Sequence, residues 1–206
     1  RDLHSVSHSF PTRRSSDLDV AATVPANVTV AAGATTATFS VTTVAVGSTV
    51  SATITGTYNG SQTAALTINP ATVSSVSLTP STVTGGSSST GTVTLSSPAP
   101  AGGASVTLSS NNGATVPANV TVAAGATTAT FSVSTIPVAS LTSATITGSY
   151  NGSQSATLTI NAPSLSSVSV SPASVTGGSS STGTVTLGSA APAGGSTVTL
   201  SSNNAA

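Results

Sequence analysis

Eight side chains of this sequence could do acid–base or ligand chemistry at neutral pH: Arg1, Asp2, His4, His8, Arg13, Arg14, Asp17 and Asp19. All of them precede Val20. From Val20 to Ala206 there is no Asp, Glu, Lys, Arg, His or Cys. General acid–base catalysis, nucleophile activation, metal ligation and phosphate capture draw on that missing set. A serine nucleophile would find no His, Lys or carboxylate to activate it. Hard cations need several carboxylates, and none follows Asp19. Without cysteine there is neither a disulfide framework nor a zinc-thiolate site. With no basic tract beyond the front, nucleic acid is not an expected partner. The expectation is therefore a non-enzyme with no catalytic, cofactor-binding or metal-binding residue and no cofactor.

The remaining candidates are weaker. Tyr58 and Tyr150 each precede Asn-Gly; they could stack on a sugar, but a lone tyrosine more often caps the edge of a core. Asn27-Val-Thr29, Asn59-Gly-Ser61, Asn119-Val-Thr121 and Asn151-Gly-Ser153 match the N-glycosylation acceptor pattern, which Ser/Thr-rich sequences produce by chance. Thr145-Ile-Thr147 resembles the Thr-x-Thr runs of ice-binding solenoids, but those need many stacked coils at a short period, which this chain lacks.

What could position such residues is legible from composition. Formal net charge is zero and charged residues make up 3%, against roughly a quarter in an ordinary domain. Ser and Thr interrupt every apolar stretch, so no run of about 18 apolar residues could cross a bilayer as a helix. Hydroxyls and backbone must then solvate the surface. The chain is rich in Val, Ile and Thr, which disordered segments avoid, and these residues alternate with period two.

Residues 8–18 read His-Ser-Phe-Pro-Thr-Arg-Arg-Ser-Ser-Asp-Leu. The string resembles the conceptual translation of a common sequencing-adaptor oligonucleotide, so residues 1–18 are expected to be an unstructured artefact. They lack the apolar stretch of a secretory signal. The sequence contains no Met, and it is expected to be an internal piece of a longer protein.

The rest repeats at a period of 92: Val24-Pro-Ala-Asn27 recurs as Val116-Pro-Ala-Asn119, and Tyr58-Asn-Gly-Ser61 as Tyr150-Asn-Gly-Ser153. About three quarters of the aligned positions are identical, with no gap. Such a period fits a small β-domain rather than a solenoid coil. With boundaries in the variable stretches Pro70–Val73 and Ala162–Leu165, residues 19–69 are the second half of one unit. Residues 74–161 are then a complete unit, and 166–206 the first half of another. The end halves are complementary; they are expected to be unstable alone and to pair within one chain or head to tail between chains.

In the complete unit, alternation predicts strands over 75–79, 90–96, 104–110, 119–123, 127–134, 143–150 and 153–160, with Val83 on a short continuation. The predicted inward residues include Val76, Leu78, Val93, Leu95, Val106, Leu108, Val120, Val122, Phe131, Val133, Ile146, Tyr150, Leu158 and Ile160. Asn151-Gly152 predicts a type I′ hairpin, whose two central residues take positive φ. About seven antiparallel strands per repeat predict an all-β chain of tandem immunoglobulin-like sandwiches. The repeats differ most between Val44–Val50 and Ile136–Thr142, the loop after the Phe strand, which is the best candidate binding surface.

The pattern Val-Thr-Gly-Gly-Ser, Thr-Gly-Thr-Val-Thr-Leu and Ala-Pro-Ala-Gly-Gly, then Val-Pro-Ala-Asn-Val-Thr-Val-Ala-Ala-Gly and Thr-Ala-Thr-Phe-Ser-Val, resembles tandem bacterial immunoglobulin-like repeats of large secreted or surface proteins. The resemblance covers nearly all of residues 20–206 and implies a spacer or stalk at the cell surface or outside it. Its partners would be neighbouring repeats, or a glycan or protein ligand if the module is an adhesin. In a bacterial source the acceptor-like asparagines would stay bare. The Cys and Trp of antibody-type domains and the interdomain carboxylates of calcium-stiffened repeats are missing.

Overall fold

The computed structural model describes residues 21–203; the charged front segment, and with it the adaptor-like string, lies outside the described residues. Among the described residues every regular element is a strand. Contacts divide the chain into two compact units. One takes the described residues up to Val44 with Val50–Ile68; the other takes Ala45–Thr49 and the chain from Asn69 onward.

The first unit carries β1 (Ala22–Thr23), β2 (Thr42–Thr43), β3 (Val50–Thr57) and β4 (Ser61–Ile68). In the second, the complete repeat carries β5 (Val73–Thr79), β6 (Thr82–Thr84), β7 (Ser89–Leu95), β8 (Ala104–Ser110), β9 (Ala114–Thr115), β10 (Asn119–Val122), β11 (Thr128–Thr135), β12 (Thr142–Ser149) and β13 (Ser153–Asn161). The same unit ends with β14 (Leu165–Ser171) and β15 (Thr182–Leu187).

The complete repeat is a β-sandwich. One sheet has the order β5-β7-β11-β9, all antiparallel; the other has β10-β8-β12-β13-β6, with only β13–β6 parallel. Val76, Leu78, Val93, Leu95, Phe131 and Val133 from the first sheet share one core with Val83, Val106, Leu108, Val122, Ile146, Leu158 and Ile160 from the second. Period-two alternation produces this arrangement, because successive side chains of a strand point to opposite faces. Val120, Tyr150 and Ala156 pack against the core without being fully buried.

Seven strands stand within two residues of where alternation places them. Two short ones bring the repeat to nine. β9 is two residues long, too short to show any period. β6 follows the cis Thr79–Pro80 bond, where the chain leaves the edge of one sheet to run beside β13 in the other. Buried Ser89 holds that corner by donating its hydroxyl to the Pro80 carbonyl (2.7 Å). The hairpin after β12 differs from expectation in detail. Asn151 takes φ 48°, but Gly152 is not in the left-handed region, and Tyr150 N–H donates to the Gly152 carbonyl (2.8 Å). The tip is a three-residue loop rather than a type I′ turn.

The core closes around a ring set on a glycine. Phe131 lies directly across from Gly91 in the β11–β7 register, and a β-carbon added at Gly91 would fall within the Phe131 ring. Gly148 faces the core more loosely: a β-carbon there would stand 3.1 Å from Val93, 3.2 Å from Val76 and 3.4 Å from Val106.

Phe131→Ala should cost about 3–5 kcal/mol through lost burial and a cavity. Gly91→Ala should cost about 1–3 kcal/mol through overpacking. The two changes couple: in the Phe131→Ala background, Gly91→Ala should be close to neutral. Denaturant melts of the wild type and the three variants check this. Additive losses would mean that the ring does not rest on Gly91.

Candidate functional site

Strand register sets out the polar side chains as regularly as the core. On the outer face of the four-stranded sheet, Ser75, Thr94 and Thr128 form one row, Ser77, Thr92 and Thr130 the next, and Thr79, Thr90 and Ser132 a third. Neighbouring strands lie about 4.8 Å apart and alternate residues along a strand about 6.6 Å, so these rows make a regular hydroxyl grid. The β12–β13 hairpin carries a second set: Ser143–Thr159, Thr145–Thr157, Thr147–Ser155 and Ser149–Ser153. The hydroxyls of Thr147 and Ser155, and of Ser149 and Ser153, hydrogen-bond across the strands at 2.9 Å. Such pairs use up donors and acceptors on the sheet itself.

Two buried hydroxyl residues, Thr135 and Ser89, are structural clamps. The Thr135 hydroxyl donates to the Ser87 carbonyl (2.6 Å) and accepts from the Gly86 N–H (3.1 Å), pinning the turn after β6. Ser89 holds the Pro80 corner. Both side chains are satisfied, so neither is a reactive group left exposed to a ligand.

Tyr150 is half-buried and packed against the core, and its carbonyl accepts from Val73 N–H (3.1 Å). Tyr58, at the same point of the other repeat, is 89% exposed. Core-edge capping therefore describes Tyr150 but not Tyr58, beside whose hairpin no further strand pairs among the described residues. The four acceptor-like asparagines are all exposed, and they differ in what their side chains hold. The Asn151 Nδ2 donates to the carbonyls of Ala71 (3.1 Å) and Gly47 (3.3 Å), so its side chain fastens the segment before β5 to the hairpin tip. That role is invisible to motif reading; the positive φ that Asn tolerates was the only local cue.

The variable loop 136–142 is anchored at its base by Ile136 N–H donating to the Gly113 carbonyl (3.0 Å), and it presents Ile136 and Leu141 to solvent. Its backbone also crosses Gly85, where a β-carbon would stand 2.7 Å from the Ile136 carbonyl oxygen. The adjoining loop is tied down too: Asn111 Oδ1 accepts from Thr145 N–H (2.7 Å), and Asn112 Nδ2 donates to the Ser143 carbonyl (3.0 Å).

Among the described residues the titratable side chains are the two tyrosines, and no three His, Cys, Asp or Glu cluster together. The surface on offer is hydroxyls, backbone and a few exposed aliphatic groups, capable of neutral hydrogen bonding and van der Waals contact. Among the described residues no helix is long and apolar enough to cross a membrane. No protein-family model matches the chain, and no curated protein matches it in sequence.

Asn151→Ala should destabilise the complete repeat by about 1.5–3 kcal/mol, from the left-handed backbone and the lost hydrogen bonds together. Asn151→Gly should recover the backbone part only, leaving about 1 kcal/mol. Chemical melts separate the two. Equal losses for both variants would show that the φ angle contributes nothing.

Proposed function

We propose that this chain is a non-catalytic structural spacer, a run of immunoglobulin-like repeats from a larger extracellular bacterial protein. The observation that carries the reading is the repetition of one uncharged sandwich module at a fixed period. Pairs in one repeat recur 92 residues away with the same partners: Ala22–Thr43 with Ala114–Thr135, and Val50–Ile68 with Thr142–Ile160. The split first strand, β5 in one sheet and β6 beside β13 in the other, suits an immunoglobulin-like sandwich. A surface of paired hydroxyls suits a module whose task is to stay folded, solvated and inert. The secreted or cell-surface location follows from the resemblance to surface-protein repeats.

An adhesive module, for glycan or protein, is the competing reading, and exposed Ile136 and Leu141 in the variable loop favour it. The two readings separate experimentally. Proteins carrying one, two and three copies of the 92-residue unit should lengthen by a constant increment in small-angle scattering and stay silent on a broad glycan array. Specific glycan binding that Ile136→Ser or Leu141→Ser abolishes would replace the spacer with the adhesin.

The spacer reading also makes stability independent of ions. No side-chain carboxylate, imidazole or amine lies between Val20 and Ala206. Folded and unfolded repeats should therefore bind equal numbers of protons between about pH 5 and 8, so the linkage slope is zero. Thermal melts should not move across that window, or on adding a chelator. A chelator-dependent drop in Tm would point to a structural cation and count against the proposal.

A further inference from the structure

The loop that differs most between repeats, 44–50 in one copy and 136–142 in the other, makes contacts that point to a use of its own. Ala45–Thr49 belongs to the same compact unit as the complete repeat, although Val44 and Val50 on either side of it do not. The Gly47 carbonyl accepts from Asn151 Nδ2 (3.3 Å) at the tip of the β12–β13 hairpin. Ser48 and Thr49 line a cavity there with Asn69, Pro70, Thr72 and Asn151. The later copy of the loop adjoins the next entry point in the same way. Ala139, at the position of Gly47, lines a cavity with Pro163 and Leu165, where the chain passes into β14.

The hairpin tip is suited to hold such a loop. Asn151 Nδ2 carries two hydrogens and has two acceptors, the carbonyls of Gly47 and Ala71. One bond fastens the loop and the other the segment entering β5. That segment is held further by Ser96 N–H donating to the Thr72 carbonyl (2.9 Å), a bond that recurs 92 residues on as Gly188 N–H to the Ser164 carbonyl (2.8 Å). The tip has one backbone in both repeats. Asn59 and Asn151 share φ 48°, and Tyr58 N–H donates to the Gly60 carbonyl as Tyr150 N–H does to that of Gly152. The hairpin itself thus sets the position of the donor, which lowers the cost of docking. Because the acceptor is a main-chain carbonyl, the loop can change side chains, Gly47 to Ala139, and keep the contact.

We propose that the Asn151 tip is the docking site for residues 45–49, the loop of the repeat before it, and that this loop is the joint between successive repeats. The assignment rests on the chain being a run of repeats. The joint uses an amide and main-chain carbonyls, so it needs no ion.

Cross-linking of the full chain tests this without background, since it has no cysteine of its own. A β-carbon at Gly152 would meet Thr72 at an ordinary 3.5 Å. Ser48→Cys/Gly152→Cys protein treated with a short bis-maleimide should close an intramolecular link, read by intact mass and gel mobility. Ser48→Cys/Ser140→Cys, whose second cysteine lies beyond the other end of β12, should not. Adding Asn151→Gly, which keeps the backbone, should slow closure about fivefold, the effect of one hydrogen bond. Gly47→Ala should leave closure unchanged, because a β-carbon there meets nothing within 4 Å. Equal closure of the two cysteine pairs overturns the proposal, and so does a rate that Asn151→Gly leaves unaltered or that Gly47→Ala abolishes. Glycan binding through Ile136 or Leu141 would replace the spacer reading while leaving the link in place, so the two fail separately.

Discussion

The fold depends on one contact between the two halves of its repeat. β7 supplies Gly91 and β11 supplies Phe131, and the ring occupies the space that the glycine leaves open. Around it, Val93, Val106, Val122, Val133, Ile146, Leu158 and Ile160 become inaccessible to solvent. Few of these side chains exceed the size of leucine, so the core cannot compensate for one missing element with bulk elsewhere. Burial arises only when strands far apart in sequence meet.

This dependence explains the surface as well. With so few large apolar groups, the outward positions must stay polar, and here they do so without charge. Ser and Thr fill them, and their β-branched or small side chains suit the pleated sheet while their hydroxyls pair across strands. The two buried hydroxyl residues, Ser89 and Thr135, secure turns where backbone groups would otherwise lack partners. A chain built this way has little use for ionic interactions, and salt has few charges on it to screen.

Much of this was readable from residue order. The alternation located seven strands and their inward faces, and the Asn-Gly pair located the hairpin. Local sequence failed where a partner decided the outcome. β9 has two residues and exists because the end of β11 lies beside it. The Asn151-Gly152 tip departs from a type I′ turn while its asparagine reaches out to Ala71 and Gly47. Tyr58 and Tyr150 share their neighbours in sequence but not in space. No candidate site could be read in the sequence beyond a variable loop, and the structure adds to that loop two exposed aliphatic residues and an anchored base.

The clearest division between sequence and tertiary structure is within the chain itself. Asn-Val-Thr-Val is strand β10 at 119–122 and no strand at 27–30; Thr-Ala-Thr-Phe-Ser-Val is strand at 128–133 and no strand at 36–41. The sequence alone determined which residues can form strands, which face of each is apolar, and that no ionisable chemistry is available after Val20. Only the tertiary structure decided which of those segments became strands. A strand's hydrogen bonds lie outside itself, so identical residues pair and bury where β7 and β8 lie beside them and stay open where no described strand does. Phe131 is 6% exposed and Phe39 46% for that reason.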